Sequence, residues 1–179
     1  MDYKHIGIEE VKSSIRDVID FPKEGIVFKD ITTAIKDPAI FEYCVNALYD
    51  YYKDKGITKV VGVESRGFIL GSVLAYRLNA GFVPVRKPGK LPAKTIQQSY
   101  DLEYGKDVIE IHSDALNQDD VVLIHDDLLA TGGTVSAAVS LVEKFDVKRT
   151  CVNFMVELDF LKGRDRIDEK YDVFSLLRY

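Results

Sequence analysis

Cysteine is scarce in this chain: there are two among 179 residues. Cys44 and Cys151 each stand alone in an apolar stretch, at no metal-binding or redox spacing. They read as buried core thiols in a reducing compartment, not as a disulfide framework. Histidine is little richer. His5, His112 and His125 form no constellation in the sequence, which argues against a metal held by protein ligands alone. No apolar run approaches the ~20 residues that span a bilayer. The opening residues, Met1-Asp-Tyr-Lys-His5, lack the charged-then-apolar layout of a secretory signal. An excess of positive charge is missing too: Lys+Arg number 24 against 29 Asp+Glu, a formal charge of −5, so no electrostatic footprint for nucleic acid is present. There is no internal repeat and no low-complexity linker. What these absences leave is a cytoplasmic protein that acts on small molecules, with neither nucleic acid nor membrane as a partner.

What is present fits one domain spanning 1–179. A hydrophobic content of 46% with 30% charge is ordinary for a globular chain of this length. Ile8, Val11, Ile15 and Val18 recur at helical spacing and predict an amphipathic helix over about the first twenty residues. Asp37-Pro38 has the form of a helix start, with the proline at the first helical position. Phe41, Cys44, Val45, Leu48 and Tyr52 then mark one face, and Gly56 is placed to stop the helix. Strands are predicted at 59–63, 81–85, 121–124, 150–158 and 173–177, with helices at 68–78 and 135–145. Residues 108–112 read as the return strand of a hairpin whose turn includes Gly105 and Lys106. Strands alternating with helices predict an α/β fold with a largely parallel central sheet, where ligands bind beyond the carboxyl ends of the strands.

The most informative segment is Val121-Val-Leu-Ile-His-Asp-Asp-Leu-Leu-Ala-Thr-Gly-Gly-Thr134. Four apolar, β-rich residues read as a buried strand. Asp126 and Asp127 stand where that strand is expected to end, followed by a small, hydroxyl-rich glycine turn and a helix. Amides in such a turn and at the helix start can hold a phosphate. Carboxylates just upstream can accept hydrogen bonds from the vicinal hydroxyls of a ribose. A glycine turn alone would mark an ordinary connection; the acidic pair tips the reading to a sugar-phosphate site. The turn lacks the lysine of a mononucleotide loop, and the third glycine and distal acidic residue of a dinucleotide fingerprint.

Three further clusters bear on anions. Glu64-Ser-Arg-Gly67 follows one predicted strand and opens a helix, so helix amides and Arg66 both favour an anion there. Ser65 as an ordinary cap with Arg66 solvated explains the same residues equally well. Arg86-Lys-Pro-Gly-Lys90, with Lys94 beyond, concentrates positive charge at a strand exit of an acidic chain. The polar stretch 91–110 reads as an excursion hairpin of the kind that closes over a site and excludes water. Glu103 lies in it and, on the residues alone, is a surface charge. His125 is expected to be structural, because strand alternation points it away from Asp126.

The strand with DDLLATGGT resembles the phosphoribosyl diphosphate motif of type I phosphoribosyltransferases. Phe21-Pro-Lys-Glu-Gly-Ile-Val-Phe-Lys-Asp-Ile-Thr32, Val63-Glu-Ser-Arg-Gly-Phe-Ile-Leu-Gly71, Gly81-Phe-Val-Pro-Val-Arg-Lys-Pro-Gly-Lys-Leu-Pro-Ala-Lys94 and Tyr100-Asp-Leu-Glu-Tyr-Gly105 narrow the resemblance to the adenine phosphoribosyltransferases. The similarity runs from about Phe21 to the Phe174-Ser-Leu-Leu177 terminus.

That resemblance implies a type I phosphoribosyltransferase fold with a hairpin lid and a small N-terminal hood. It implies purine salvage, in which adenine and phosphoribosyl diphosphate give AMP and diphosphate, and a homodimer. Asp126 and Asp127 would hold the ribose, and Ala130, Thr131, Gly132, Gly133 and Thr134 the 5′-phosphate. Ser65, Arg66, Lys87 and Lys90 would hold the diphosphate, at a turn that in the family can carry a strained peptide linkage. Val27, Phe28, Lys29 and Leu128 would form the adenine pocket, Phe28 and Leu128 flanking the ring while main-chain groups of Val27 and Lys29 read its edge. Many relatives carry arginine at Lys29 and an aliphatic residue at His125. Glu103 would be the acid/base group at N7 of adenine, with Tyr100 and Tyr104 closing the lid. Mg²⁺ would arrive on the substrate rather than on a protein ligand set. The rivals are a 6-oxopurine phosphoribosyltransferase and a non-catalytic regulator that senses phosphoribosyl diphosphate.

Overall fold

A computed structural model describes residues 6–21, 24–25, 27–101 and 106–179. The chain divides into two compact units, Met1–Leu48 and Tyr49–Tyr179.

In the first unit, helix α1 spans only Ile8–Ser14 and ends where Ile15 turns extended. The next residues form strand β1, Arg16–Ile19, paired antiparallel with β2, Val27–Asp30, so that Val18 lies opposite Phe28. The long N-terminal helix expected from the sequence is therefore wrong at its second half. Helical spacing of Ile8, Val11 and Ile15 was a true signal, but cross-strand hydrogen bonds and the ion pairs Arg16–Asp30 (2.5 Å) and Lys29–Asp17 (2.6 Å) draw residues 16–19 into the strand. A short helix α2, Thr32–Ile35, follows. The Asp37 carboxylate then accepts from the amides of Ala39 (2.9 Å) and Ile40 (3.1 Å), capping helix α3, Pro38–Tyr52, as Asp37-Pro38 predicts.

The second unit carries, in chain order, β3 Lys59–Val63, α4 Gly67–Arg77, β4 Gly81–Val85, β5 Thr95–Asp101, β6 Lys106–His112, β7 Val121–Leu129, α5 Gly133–Glu143, β8 Arg149–Glu157 and β9 Asp172–Arg178. Five of these strands form one sheet in the order β4-β3-β7-β8-β9, and every pairing in it is parallel. Both faces are covered, which is why its strands read as near-continuous apolar runs. Val60, Leu123 and Cys151 pack with Tyr52 and with Ala75 of α4. Val61, Ile124 and Val152 pack with Ala138 and Leu141 of α5 and with Ile109 and Ile111 of β6. Strands β5 and β6 form the expected antiparallel hairpin. Lys106 starts its return strand, opposite Asp101, instead of belonging to the turn; Gly105 lies outside the described residues.

Strand order locates the functional end. From β3 the chain crosses through α4 to β4 on one side, and from β7 through α5 to β8 on the other. The two crossovers diverge between β3 and β7, and the carboxyl ends of those strands border a crevice. The β3–β7 pairing stops at Gly62–His125, while β7 stays paired with β8 as far as Leu129–Glu157. Asp126 and Asp127 thus lie inside β7, not at its end as the sequence suggested. They face the crevice because β3, not β7, has run out.

Candidate active site

The crevice opens into a cavity of about 350 Å³. Ser65 and Arg66 reach it from the β3 exit and Lys87 from the β4 exit. Asp126, Asp127 and Leu128 line it from β7, Tyr100 and Ile109 from the hairpin, and Thr134 from α5. Gly67 makes this closeness geometrically possible. A Cβ there would stand 2.9 Å from the His125 carbonyl oxygen and 3.1 Å from Asp126 Oδ1, so only a bare backbone lets α4 begin against β7. The Glu64–Ser65 peptide is cis, at the turn for which an unusual linkage was anticipated. Arg66, not Ser65, occupies the cap position of α4, and no side chain caps that helix. The ordinary-cap reading of Ser65 is not what the chain adopts.

The two carboxylates differ. Asp127 is buried and bound to Arg66 Nε at 2.5 Å. Asp126 is half-buried, and its Oδ1 accepts from the Asp127 amide at 2.9 Å. Burial, and then the neighbouring Asp127, push the Asp126 carboxyl well above the usual carboxylate range. Lys87 forms an ion pair with Asp107, and its ammonium is 3.4 Å from the Tyr100 hydroxyl. Burial works against the Lys87 charge, but Asp107 and Tyr100 outweigh it and hold the amine above its ordinary value.

The basic strand exit is shaped by two acidic residues. Glu64 takes two hydrogen bonds from the Arg86 guanidinium, at 2.8 and 3.2 Å, and one from the Lys87 amide at 3.0 Å. The hydrogen bonds from Arg86 hold the Glu64 carboxyl below the usual range. Arg86 also donates to the carbonyl of Lys90 at 3.1 Å, and the Lys90 side chain is exposed outside the cavity lining. The buried carboxylate of Glu110 accepts from the amides of Gly89 (3.0 Å) and Leu91 (3.4 Å), from the Thr95 hydroxyl and from Gln97 Nε2.

The glycine turn borders a smaller recess of about 70 Å³, lined by Ala130, Thr131, Gly132, Gly133 and Thr134 among others. Gly132 has a left-handed backbone (φ 82°) and occupies the cap position of α5 without any side-chain cap. A positive φ at this point favours glycine, and the first-turn amides of α5 are left to face an anion. Thr134 Oγ1 lies 3.5 Å from the Tyr100 hydroxyl, linking the turn to the hairpin.

His125 is fully buried on the α4 side of the sheet, its Nδ1 2.7 Å from Asn153 Oδ1. Burial lowers its pKa to about 4, so it is a neutral part of the frame. In the N-terminal unit, Phe28 packs edge-on against Phe21 at 5.3 Å, the Lys29 ammonium is bound to Asp17, and Val27 is exposed. Glu103 and Tyr104 lie outside the described residues. Sequence reasoning missed Asp107, Glu110 and the supporting role of Glu64. The alternation of β6 carried a faint signal for Glu110, an acidic residue between Ile109 and Ile111.

The profile of the phosphoribosyl transferase domain family matches residues 32–177. An adenine phosphoribosyltransferase of Bacteroides fragilis is 58% identical over 165 residues, covering 92% of this chain and 93% of that protein. The crystal structure of the adenine phosphoribosyltransferase of Thermoanaerobacter pseudethanolicus superposes with a TM-score of 0.93 at 48% identity, covering 97% of this chain and 100% of the other. The crystal structure of the Giardia lamblia APRTase complexed with 9-deazaadenine has a TM-score of 0.93 at 41% identity, covering 97% and 98%.

Proposed function

This chain belongs to the phosphoribosyl transferase domain family, and from that premise we propose that it transfers the 5-phosphoribosyl group of phosphoribosyl diphosphate to adenine, giving AMP and diphosphate. It is a transferase of purine salvage with a type I phosphoribosyltransferase fold. One observation carries the reading: an acidic pair, an uncapped glycine turn and basic side chains meet at a single strand-order switch point.

In this reading residues 130–134 grip the 5′-phosphate through amides and the hydroxyls of Thr131 and Thr134. Asp126 and Asp127 accept hydrogen bonds from the ribose hydroxyls. Displacement at the anomeric carbon builds positive charge on the ribosyl group. That charge favours ionised Asp126, which burial and Asp127 otherwise oppose, so the stabilisation grows as the transition state forms. Ser65, Arg66, Lys87 and Lys90 receive the departing diphosphate. Arg66 and Lys87 rest on Asp127 and Asp107, and binding exchanges those partners for phosphate oxygens. Val27, Phe28 and Lys29 of the first unit are assigned to adenine, and so, in the second unit, is Leu128. The hold of Asp17 on the Lys29 ammonium fits a main-chain contact to the base at that residue. Glu103 is the acid/base group at N7: it accepts the proton adenine loses as N9 bonds to the anomeric carbon and returns it in the reverse reaction, and Tyr100 and Tyr104 belong to the lid.

Mg²⁺ suits the carboxylate oxygens of Asp126 and Asp127 and, when bound, supplies charge neutralisation at the diphosphate. In this reading the ion arrives on the substrate, held mainly by its diphosphate and ribose hydroxyls. The working form is a cytoplasmic homodimer, with 1–179 acting as one phosphoribosyltransferase domain.

The test is turnover of radiolabelled adenine against hypoxanthine, guanine and xanthine. Adenine is expected to lead in kcat/KM by about 10⁴-fold, because a 6-oxopurine reverses the hydrogen-bonding edge and leaves buried polar groups unpaired. Comparable values for a 6-oxopurine overturn the assignment.

A further inference from the structure

We propose that Gly163 and Arg164, far along the chain from the glycine turn, are positioning residues that set the geometry of the 5′-phosphate grip. The inference rests on residues 130–134 binding the phosphate. Gly132 and Gly163 press backbone against backbone. A Cβ on Gly132 would run into the Gly163 carbonyl oxygen and come within 3.2 Å of Arg166 Cβ. A Cβ on Gly163 would run into the Ala130 carbonyl oxygen and stand 2.9 Å from the Gly132 nitrogen. Nothing larger than hydrogen fits at either position.

Gly163 is itself held from below. It opens the short 3₁₀ turn Gly163–Arg166, whose Arg164 binds the carboxylate of Glu157, the last residue of β8, through Nε (2.9 Å) and Nη2 (2.5 Å). The same guanidinium donates to the Val173 carbonyl (3.1 Å) and the Ser175 hydroxyl (3.2 Å) of β9. Ser175 Oγ donates to Glu157 at 2.6 Å, and the Leu158 amide donates to the Leu129 carbonyl at 2.9 Å. Glu157 is 3% exposed, and a buried carboxylate demands a partner of fixed geometry, which the planar fork of arginine supplies.

The chain of contacts therefore runs from the β8–β9 sheet end through Glu157 and Arg164 to Gly163, and from Gly163 to the amides of the turn. This support has functional weight because amide donors cannot be re-aimed by a rotamer, as a lysine can. A displacement of about an ångström in a positioning group can cost ~10²-fold. Neither Gly163 nor Arg164 needs to touch substrate.

The experiment compares wild type, Gly163→Ala and Arg164→Lys for binding of ribose 5-phosphate by calorimetry, KM for phosphoribosyl diphosphate, KM for adenine, and Tm. Gly163→Ala is expected to weaken ribose 5-phosphate binding and raise the sugar-diphosphate KM by about tenfold or more, with adenine KM unchanged. Arg164→Lys keeps the charge but not the fork, and about a threefold effect of the same pattern is expected. Should Gly163→Ala fail to fold, the folded lysine variant decides. Wild-type affinity in a folded Gly163→Ala, or in Arg164→Lys when only that variant folds, overturns the inference, as does an equal loss for adenine. A wild-type chain that does not bind ribose 5-phosphate overturns the phosphate-turn reading and this inference together.

Discussion

The two regions proposed to hold anions, the glycine turn with its recess and the basic side of the cavity, are built from different materials. The glycine turn, residues 130–134, uses backbone: a left-handed Gly132, an uncapped helix start and close packing against Gly163. The opposite side uses long cationic side chains already paired with carboxylates, Arg66 with Asp127 and Lys87 with Asp107. A backbone cradle is fixed when the chain folds and has little freedom to lose on binding. A charge-paired side must exchange partners, which costs part of the interaction and makes the site responsive to salt and lid position. This division suits a reaction in which one group stays bound while the other leaves: a rigid grip on the retained phosphate, an exchangeable one on the departing diphosphate.

The sharpest break of the comparison is Gly132→Ala. A Cβ at φ 82° and against the Gly163 carbonyl shifts the cradle, so KM for phosphoribosyl diphosphate should rise by about 10²-fold. Steady-state kinetics at two ionic strengths check it, and the deficit should be the same at both. A deficit that vanishes at either strength would show that the turn, too, works through adjustable charge.

Asp127→Asn comes next. It removes the charge that holds Arg66 at 2.5 Å and a ribose acceptor at once, so kcat should fall and KM for phosphoribosyl diphosphate rise, each by about tenfold. A change in KM alone would make Asp127 a ground-state contact only.

Lys87→Ala should raise the same KM by about tenfold at low salt, and the effect should shrink as salt is added, because a half-exposed cation is screened. Titrating diphosphate and ribose 5-phosphate into wild type between about 0.01 and 1 M salt extends the comparison. Diphosphate affinity should fall more steeply; equal slopes would erase the distinction between the two sides.

The smallest effects concern stability. His125 has a folded pKa of about 4, below its value of 6.5 in the unfolded chain. Its neutral form is favoured by the fold, so its contribution is whole above pH 6.5 and is lost as pH falls towards 4, by roughly 2–3 kcal/mol. Asp126 has the opposite sign. Its folded pKa is raised, so its ionisation opposes folding above that pKa and the penalty disappears below the unfolded value. Asp126→Asn should therefore raise Tm at neutral pH by about 2–4 °C, with the gain fading in acid. Thermal unfolding from pH 4 to 8 reads both. A flat profile, or a lower Tm for Asp126→Asn at pH 7, would contradict the assigned burial effects.

Much of the fold was legible because its signals are local. The parallel strands show as apolar runs, and the Asp37-Pro38 cap and the helices after β3 and β7 show in spacing and composition. The N-terminal helix was overextended because a helical period over Ile8, Val11 and Ile15 says nothing about a strand partner at 27–30. The acidic pair was placed at a strand end for a similar reason: four apolar residues suffice to suggest a strand, but only pairing with β8 decides how far it runs. Arg66, Lys87 and the glycine turn, which line the cavity and its neighbouring recess, stood out as clusters of charge and glycine. Asp107 and Glu110 did not, because an acidic residue in a hairpin looks the same whether it faces water, the half-exposed ammonium of Lys87 or the loop amides of Gly89 and Leu91.

By itself, the sequence determined the fold class, the glycine turn and the family, since apolar periodicity, a DDLLATGGT run and their order along the chain are properties of neighbouring residues. The tertiary structure decided which of these groups meet. Strand order β4-β3-β7-β8-β9 opens the crevice between β3 and β7, and the β3 pairing that stops at His125 leaves Asp126 and Asp127 lining the cavity. Two glycines 31 positions apart, Gly132 and Gly163, come into backbone contact. Hydrogen bonding and close packing act over a few ångströms of space, whatever the separation along the chain.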